Sequence, residues 1–138
     1  MNDDSLRSVD ICRMGAGRFK ATNARGGVLP ISSGDDPDFT PVELLLAALA
    51  GCGAIEVASV TGRSAEPESF DVRAEGHKVS DEDGSHLTRL RIVFDVEFPP
   101  GSAGDQARAA LPDALARARD AVSTVSRTVA LGSPVVYE

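Results

Sequence analysis

The chain has 138 residues, of which 42% are apolar and 25% charged, ordinary values for a globular protein. This length predicts a single domain over residues 1–138, with a core that needs no disulfides to hold it. The formal net charge of −7 argues against nucleic acids and anionic membranes as partners. The acidic first residues lack the pattern of a secretory signal, so we expect a cytoplasmic protein.

Glycine and asparagine residues divide the first part of the chain into short segments of weakly alternating polarity. This pattern predicts three strands, at about Ser8–Met14, Arg18–Thr22 and Gly27–Ser32. A polar loop over residues 33–38 separates them from the next element.

A long helix begins at Thr40, which is a good N-cap, and Glu43 three residues later completes a capping box. The helix should run to about Val60. Its middle is almost wholly apolar and contains Cys52. Only twelve uncharged residues lie between Glu43 and Glu56, too few to span a bilayer.

Two amphipathic strands follow, at Phe70–His77 and Arg89–Phe98, each alternating apolar and polar residues. Residues 80–85 form a polar hairpin loop between them. One face of this sheet should be exposed to solvent, and the other should cover the long helix.

The last third of the chain reads as helical. Apolar residues at helical spacing predict a helix over residues 102–121, which Pro112 should split or kink near Ala110. Ser123–Leu131 predicts a further short helix, and Pro134–Glu138 a closing strand. The predicted fold class is therefore α+β, with the order βββ-α-ββ-α-α-β.

Three segments in this order resemble the OsmC/Ohr family of thiol-dependent peroxidases, with the YhfA-type branch the most similar. The long-helix motif is the most specific of the three, and the element order matches over essentially the full length. The segments are Thr40-Pro-Val-Glu-Leu-Leu-Leu-Ala-Ala-Leu-Ala-Gly-Cys52, Gly17-Arg18-Phe19 with the Gly26-Gly27 turn, and Thr124-Val-Ser-Arg-Thr128 before Gly132-Ser-Pro-Val135.

The resemblance implies an entwined homodimer, with long central helices sandwiched between antiparallel sheets and active sites at the dimer interface. Burial between two subunits would explain a helix that is apolar on every face. The resemblance further implies that Cys52 is the peroxidatic thiol and that Arg18 is the cation that lowers its pKa. Apolar walls would select organic hydroperoxides, and no cofactor or metal is implied.

Two family positions are changed in this chain. The family's resolving cysteine begins its C-terminal block, and here that position is Ser123, which cannot form a disulfide. The family's glutamate follows the helix proline directly, and here that position is Val42. Glu43 is one residue later, which turns a side chain by about 100° around a helix, so we interpret it as the capping residue. The two-cysteine cycle is therefore in question.

Each candidate also has a structural interpretation. Cys52 could be a small core residue, as free cysteines often are, and Arg18 a solvated strand residue. Glu56 lies one turn after Cys52 and as a neighbouring carboxylate would oppose thiolate formation, but we interpret it as a salt-bridge partner. Ser123 is a typical helix N-cap. Whether Cys12 replaces the missing resolving cysteine is left open.

Three hypotheses follow. In the first, the protein is a hydroperoxide reductase in which Cys52 is the sole redox thiol and an external thiol regenerates it. In the second, it is a non-catalytic OsmC-like dimer that binds a small apolar ligand. In the third, Cys52 handles sulfur or persulfide.

Overall fold

The structure is a computed structural model and describes residues 4–138. The chain forms two compact units, the first ending at Leu45 and the second beginning at Leu46. In the first unit, β1 (Asp10–Gly15), β2 (Arg18–Thr22) and β3 (Val28–Ser32) form an antiparallel sheet in that order. With the helices and the second sheet described below, the predicted α+β class is confirmed.

Helix α1 (Pro41–Thr61) begins with the predicted capping box. The Thr40 N–H donates to Glu43 Oε1 at 2.9 Å, and the Glu43 N–H donates to Thr40 Oγ1 at 3.3 Å. Two of the four N–H groups that a helix start leaves without partners are thereby satisfied. Glu43 is therefore engaged at the helix start, as the sequence predicted.

Only one stripe of α1 is buried within the chain: Leu49, Gly53, Val57 and Thr61, spaced four residues apart. Val57 is at the centre of the hydrophobic core of the second unit. The other residues of this core are Ala114, Ala118, Val60, Phe70, Phe94, Leu111 and Leu115.

By length and composition alone, α1 would suffice to cross a membrane. It has 21 residues, and an 18-residue window within it has a mean hydropathy of 1.9. The expectation that the apolar run between Glu43 and Glu56 is too short to span a bilayer is therefore wrong for the helix as a whole. The core helix of a soluble protein meets the same criteria of length and composition.

Strands β4 (Ser69–Asp81) and β5 (Gly84–Glu97) form a long antiparallel hairpin. The predicted loop over residues 80–85 was wrong. The two strands extend into this range, and only residues 82–83 form the turn. Cross-strand pairing, including a 2.7 Å hydrogen bond between Ser80 and Ser85, continues to the turn.

A bulge interrupts this hairpin at Gly76. Glu75 pairs with Arg91 and His77 with Thr88, so Gly76 opposes two residues. A Cβ atom at Gly76 would lie 2.8 Å from Leu90 Cδ2. A side chain at this position would therefore displace the end of the Leu90 side chain on β5.

Helix α2 (Ser102–Arg117) continues through Pro112, so the sequence prediction of a split there was wrong. A proline inside a helix costs about 3 kcal/mol, since it removes one backbone hydrogen bond. The buried Ala107 and Ala114 lie before and after it, so core packing holds both halves in one helix. The irregularity comes later, as a π-helical turn over Ala118–Val122.

Helix α3 (Thr124–Leu131) confirms the predicted short helix and ends at Gly132, whose φ of 61° is left-handed. The predicted closing strand at Pro134–Glu138 was wrong for this chain, because residues 133–138 pair with no strand among residues 4–138. A strand needs a neighbour to bond its backbone, and these residues are all exposed.

Candidate functional site

Cys52 lies in the middle of α1 and is half-buried. Hydrogen bonding to the Ser123 side chain and to the backbone N–H groups of Val125 and Thr124 lowers the pKa of its thiol. All three donors belong to the start of α3. The structure therefore brings together Cys52 and Ser123, two positions singled out from the sequence.

Every polar group of Ser123 has a partner. Its backbone N–H donates to Ala118 O at 3.1 Å, and its carbonyl accepts from the Arg127 N–H at 3.0 Å. Its Oγ accepts from the Ser126 N–H at 3.4 Å as the N-cap of α3. That bond uses an oxygen lone pair, so the hydroxyl proton remains available to the Cys52 sulfur. Only 1% of Ser123 is exposed, so it has little freedom to turn away.

These hydrogen bonds lower the pKa of the Cys52 thiol below the usual cysteine value. The Ser123 hydroxyl has the largest effect, followed by the N–H of Val125, and the N–H of Thr124 adds to them. Burial and the negative charge of Glu56 act in the opposite direction. N–H groups at a helix start have no intrahelical partners and carry partial positive charge, so they stabilise an anion.

The arrangement favours a thiolate at Cys52, which is the nucleophilic form of cysteine. Glu56 forms no salt bridge within residues 4–138, so the predicted ion pair is not seen. It opposes thiolate formation, as the sequence suggested.

A cavity of about 710 Å³ has Ser123 in its wall and lies entirely within the second unit. Its walls come from α1, β5, α2, the π-helical turn and α3. Most of them are apolar, with arginine and serine the only polar side chains. The residues are Leu49, Gly53, Leu90, Arg91, Ile92, Val93, Phe94, Pro112, Leu115, Ala116, Ala118, Arg119, Ser123, Ser126, Val129 and Ala130.

Arg18 lies on β2 in the first unit, and its Nε is 3.7 Å from Asp36 Oδ2. Its side chain is 65% exposed. Val42 is exposed in the first turn of α1, next to the capping residue Glu43. The pairing of Arg18 with Cys52 stays a prediction.

Cys12 lies on β1 and is exposed. Its Sγ atom is 3.8 Å from the Sδ atom of Met14. Both Cys12 and Cys52 are free thiols. Within residues 4–138, no three His, Cys, Asp or Glu side chains are grouped closely enough to hold a metal ion.

Sequence reasoning missed two parts of this site. It did not single out Arg119, whose side chain is 73% exposed and which contributes to the cavity wall with Arg91. It also missed the backbone donors of Thr124 and Val125. The signal for these donors was present in the predicted N-cap at Ser123, because free N–H groups always follow an N-cap.

A family model described as "OsmC-like protein" matches residues 34–138. No curated protein matches the chain. Several solved structures share its fold over most of their length. A hypothetical protein from Aquifex aeolicus has 14% identity and a TM-score of 0.73, covering 94% of this chain and 90% of its own.

Two further structures carry the family name. An OsmC-like protein of unknown function from Vibrio cholerae has 16% identity and a TM-score of 0.69, covering 90% of this chain and 93% of its own. An OsmC-like protein from Mycoplasma pneumoniae has 12% identity and a TM-score of 0.70, covering 93% of this chain and 89% of its own. At these identities the likeness shows the fold alone.

Proposed function

The chain belongs to the OsmC-like protein family, and we propose that it is a thiol-dependent reductase of organic hydroperoxides with Cys52 as its sole redox thiol. The observation that carries this proposal is the lowered pKa of the Cys52 thiol, caused first by the Ser123 hydroxyl and then by backbone N–H groups at the start of α3. A cysteine that only fills the core does not need its thiolate form stabilised. Membership of the YhfA-type branch is part of the same proposal.

The reaction begins when the Cys52 thiolate attacks one oxygen of the hydroperoxide ROOH. The O–O bond breaks, the thiolate becomes sulfenic acid, and the leaving alkoxide takes a proton to give the alcohol ROH. The Ser123 hydroxyl and the α3 amides stabilise the thiolate before attack.

Because Ser123 stands where the family has its resolving cysteine, an external thiol completes the cycle. One thiol condenses with the sulfenic acid, releasing water and leaving a mixed disulfide. A second thiol attacks this disulfide, releasing the oxidised external thiol and regenerating Cys52. Two electrons pass from the two thiols to the peroxide in each turn.

The family resemblance gives Arg18 the role of the cation near the thiolate. Its salt bridge to Asp36 is long and exposed, so it is weak enough to exchange for another anion. We propose that Arg18 helps to stabilise the alkoxide that leaves. Arg18→Ala should then slow peroxide reduction, and the matched exposed variant Arg25→Ala, in the turn after β2, should not.

The function is tested by stopped-flow consumption of cumene hydroperoxide with dithiothreitol as reductant. Cys52→Ser should abolish the protein-dependent rate, and Cys12→Ser should retain it. Equal rates for wild type and Cys52→Ser would sink the proposal. Loss of turnover in Cys12→Ser would show instead that Cys12 takes part in the cycle.

We further propose that the protein is a homodimer. Ile55 on α1 is 71% exposed, and Val42 and Leu45 on the same helix are also exposed. A second copy that covers α1 would bury them. Light scattering on wild type should give twice the mass of one chain, and Ile55→Glu should halve it, whereas Gln106→Glu, an exposed control on α2, should not. A monomeric wild type would contradict the dimer.

A non-catalytic binding role is the second candidate, favoured by the cavity of about 710 Å³ beside Ser123. It predicts ligand binding without thiol-dependent turnover. The cytoplasmic location stays a prediction, and so does the absence of nucleic-acid or membrane partners, which rests on the net charge of −7.

A further inference from the structure

Strand β5 contains one residue with a strained backbone, Arg89. Its φ of 53° is left-handed, and no other non-glycine residue has a positive φ among residues 4–138. Glycine is the usual residue in this conformation, because a Cβ atom there costs free energy. Strain of this kind persists only where the surrounding structure fixes it, and it is found most often at functional sites. The strain at Arg89 therefore indicates that the positions of its neighbours are constrained.

The strained residue belongs to the bulge opposite Gly76. Arg89 and Leu90 together face this one residue of β4. The Leu90 side chain extends over Gly76, because a Cβ atom at Gly76 would be 2.8 Å from its Cδ2 and 3.7 Å from its Cγ. Bulges change the direction of a side chain and are frequent next to active sites. The bulge and the glycine opposite it therefore set where the Leu90 side chain lies.

Leu90 lies at the open end of the cavity whose wall includes Ser123. It is 37% exposed. The other end of the cavity is buried, since its wall residues there are 6% exposed or less. These residues are Leu49, Ala118 and Ser123. A molecule that enters from solvent therefore passes Leu90 before it reaches Ser123.

Two further apolar residues of the wall are as exposed as Leu90. They are Val93 on β5 and Val129 on α3. Both belong to regular backbone, whereas Leu90 is placed by the bulge. Leucine also extends one carbon further from its backbone than valine does. Leu90 is therefore the residue at the opening whose position the structure maintains at a cost in backbone strain.

We propose that Leu90 determines the size of the hydroperoxide that the cavity admits, and that the bulge opposite Gly76 holds its side chain at the opening. The inference rests on the proposed function for the identity of the occupant, and it adds the residue that selects among hydroperoxides. One methylene group in an apolar site changes discrimination roughly 10–200-fold. Leu90→Ala removes every carbon beyond Cβ, so its effect on selectivity is large enough to measure.

The test compares cumene hydroperoxide with the smaller tert-butyl hydroperoxide in stopped flow, with dithiothreitol as reductant. Leu90→Ala should raise the ratio of their kcat/KM values about tenfold in favour of cumene hydroperoxide, because the opening is wider. Val79→Ala is the matched control and should keep the ratio. Val79 is 39% exposed on the same hairpin and is not in the cavity wall. An unchanged ratio in Leu90→Ala would overturn the assignment.

Gly76→Ala tests the role of the bulge. The added Cβ would displace the end of the Leu90 side chain, so the ratio should change although Leu90 is retained. In a Leu90→Ala background that side-chain end is absent, so Gly76→Ala should change the ratio no further. An equal effect of Gly76→Ala in both backgrounds would show that the glycine does not act through Leu90, and would overturn the role of the bulge.

A binding measurement separates this inference from the proposed function. The chain contains no tryptophan, and Ala130 is an exposed residue of the cavity wall, so Ala130→Trp places a fluorescent reporter at the cavity. The probes are cumyl alcohol and tert-butanol, which have no O–O bond and need no turnover. In a Cys52→Ser/Ala130→Trp background, Leu90→Ala should shift the ratio of their dissociation constants in favour of cumyl alcohol.

The two measurements give distinct outcomes. A shifted binding ratio without peroxide turnover in wild type would refute the proposed function and leave Leu90 as the residue that selects the occupant by size. Peroxide turnover that depends on Cys52, with neither ratio changed by Leu90→Ala, would refute this inference and leave the proposed function standing.

Discussion

The Ser123 hydroxyl has the largest effect of the groups that lower the pKa of the Cys52 thiol, although the two residues are 71 positions apart in the sequence. The same hydroxyl caps α3, so one buried side chain both starts a helix and stabilises a thiolate. A hydroxyl can do this without being able to form a disulfide.

Removing this hydroxyl should raise the pKa of Cys52, because its largest stabilising hydrogen bond is lost. Ser123→Gly is the better variant, since glycine retains most N-cap stability whereas alanine costs about 1 kcal/mol. The pH dependence of iodoacetamide alkylation in a Cys12→Ser background measures the shift. An unchanged midpoint in Ser123→Gly would contradict the hydrogen bond.

The same bond should make stability depend on pH. The folded pKa of Cys52 is below its unfolded value, so its contribution is fully present above the ordinary cysteine pKa of about 8.5. It is lost as the pH falls through the lowered folded pKa. Urea unfolding should therefore show a larger difference between Cys12→Ser and Cys12→Ser/Ser123→Gly at pH 9 than at pH 6.

Restoring a cysteine at Ser123 should give an intramolecular disulfide with Cys52. The two side chains already meet, so a Ser123→Cys sulfur would lie near the Cys52 sulfur. After oxidation by cumene hydroperoxide, mass spectrometry of the Cys12→Ser/Ser123→Cys protein should show the loss of two hydrogens and a Cys52 crosslink. Thr128→Cys, one turn further along α3 and exposed, is the control that should not crosslink.

Neutralising Glu56 should lower the pKa of Cys52 further, because its negative charge opposes the thiolate. Glu56→Gln should therefore react faster with iodoacetamide at neutral pH. Glu66→Gln removes the same charge in the loop after α1 and should leave the rate unchanged. A slower reaction in Glu56→Gln would show that the charge has another role.

Variants of the capping box separate a structural role of Glu43 from a catalytic one. Thr40→Ala should destabilise the protein by about 1 kcal/mol, since the N-cap acceptor is lost. Glu43→Gln should retain both stability and peroxide turnover, because glutamine also completes a capping box. Stability is read by urea unfolding. A large loss of turnover in Glu43→Gln alone would give Glu43 the role of the family's glutamate.

Replacing either of two helical glycines by alanine should change the stability of the protein, in opposite directions at the two positions. Alanine favours a helix by up to about 1 kcal/mol over glycine. Gly51→Ala meets no atom within 4 Å, so it should stabilise the chain. At Gly104 the new Cβ would overlap the Pro99 carbonyl oxygen, so Gly104→Ala should destabilise by about 1–3 kcal/mol or more. Urea unfolding of both variants measures the difference, and equal stabilities would contradict this packing.

The sequence by itself determined the start of α1 and most of the helices and strands. The capping residues Thr40 and Glu43 act locally, over one helical turn, so their pattern is readable without a fold. The alternation in β5 is likewise a local property of the strand, and it predicted the strand correctly. The N-cap at Ser123 was readable for the same reason.

Only the tertiary structure decided what surrounds the cysteine. Contacts between α1 and α3 join residues far apart in the chain, and no local periodicity encodes them. Core packing also overrode the breaking tendency of Pro112, and the absence of a pairing strand overrode the strand pattern at residues 134–138. The chain order alone identified Cys52 as the thiol of interest, and the fold supplied the hydroxyl and the helix start that favour its ionised form.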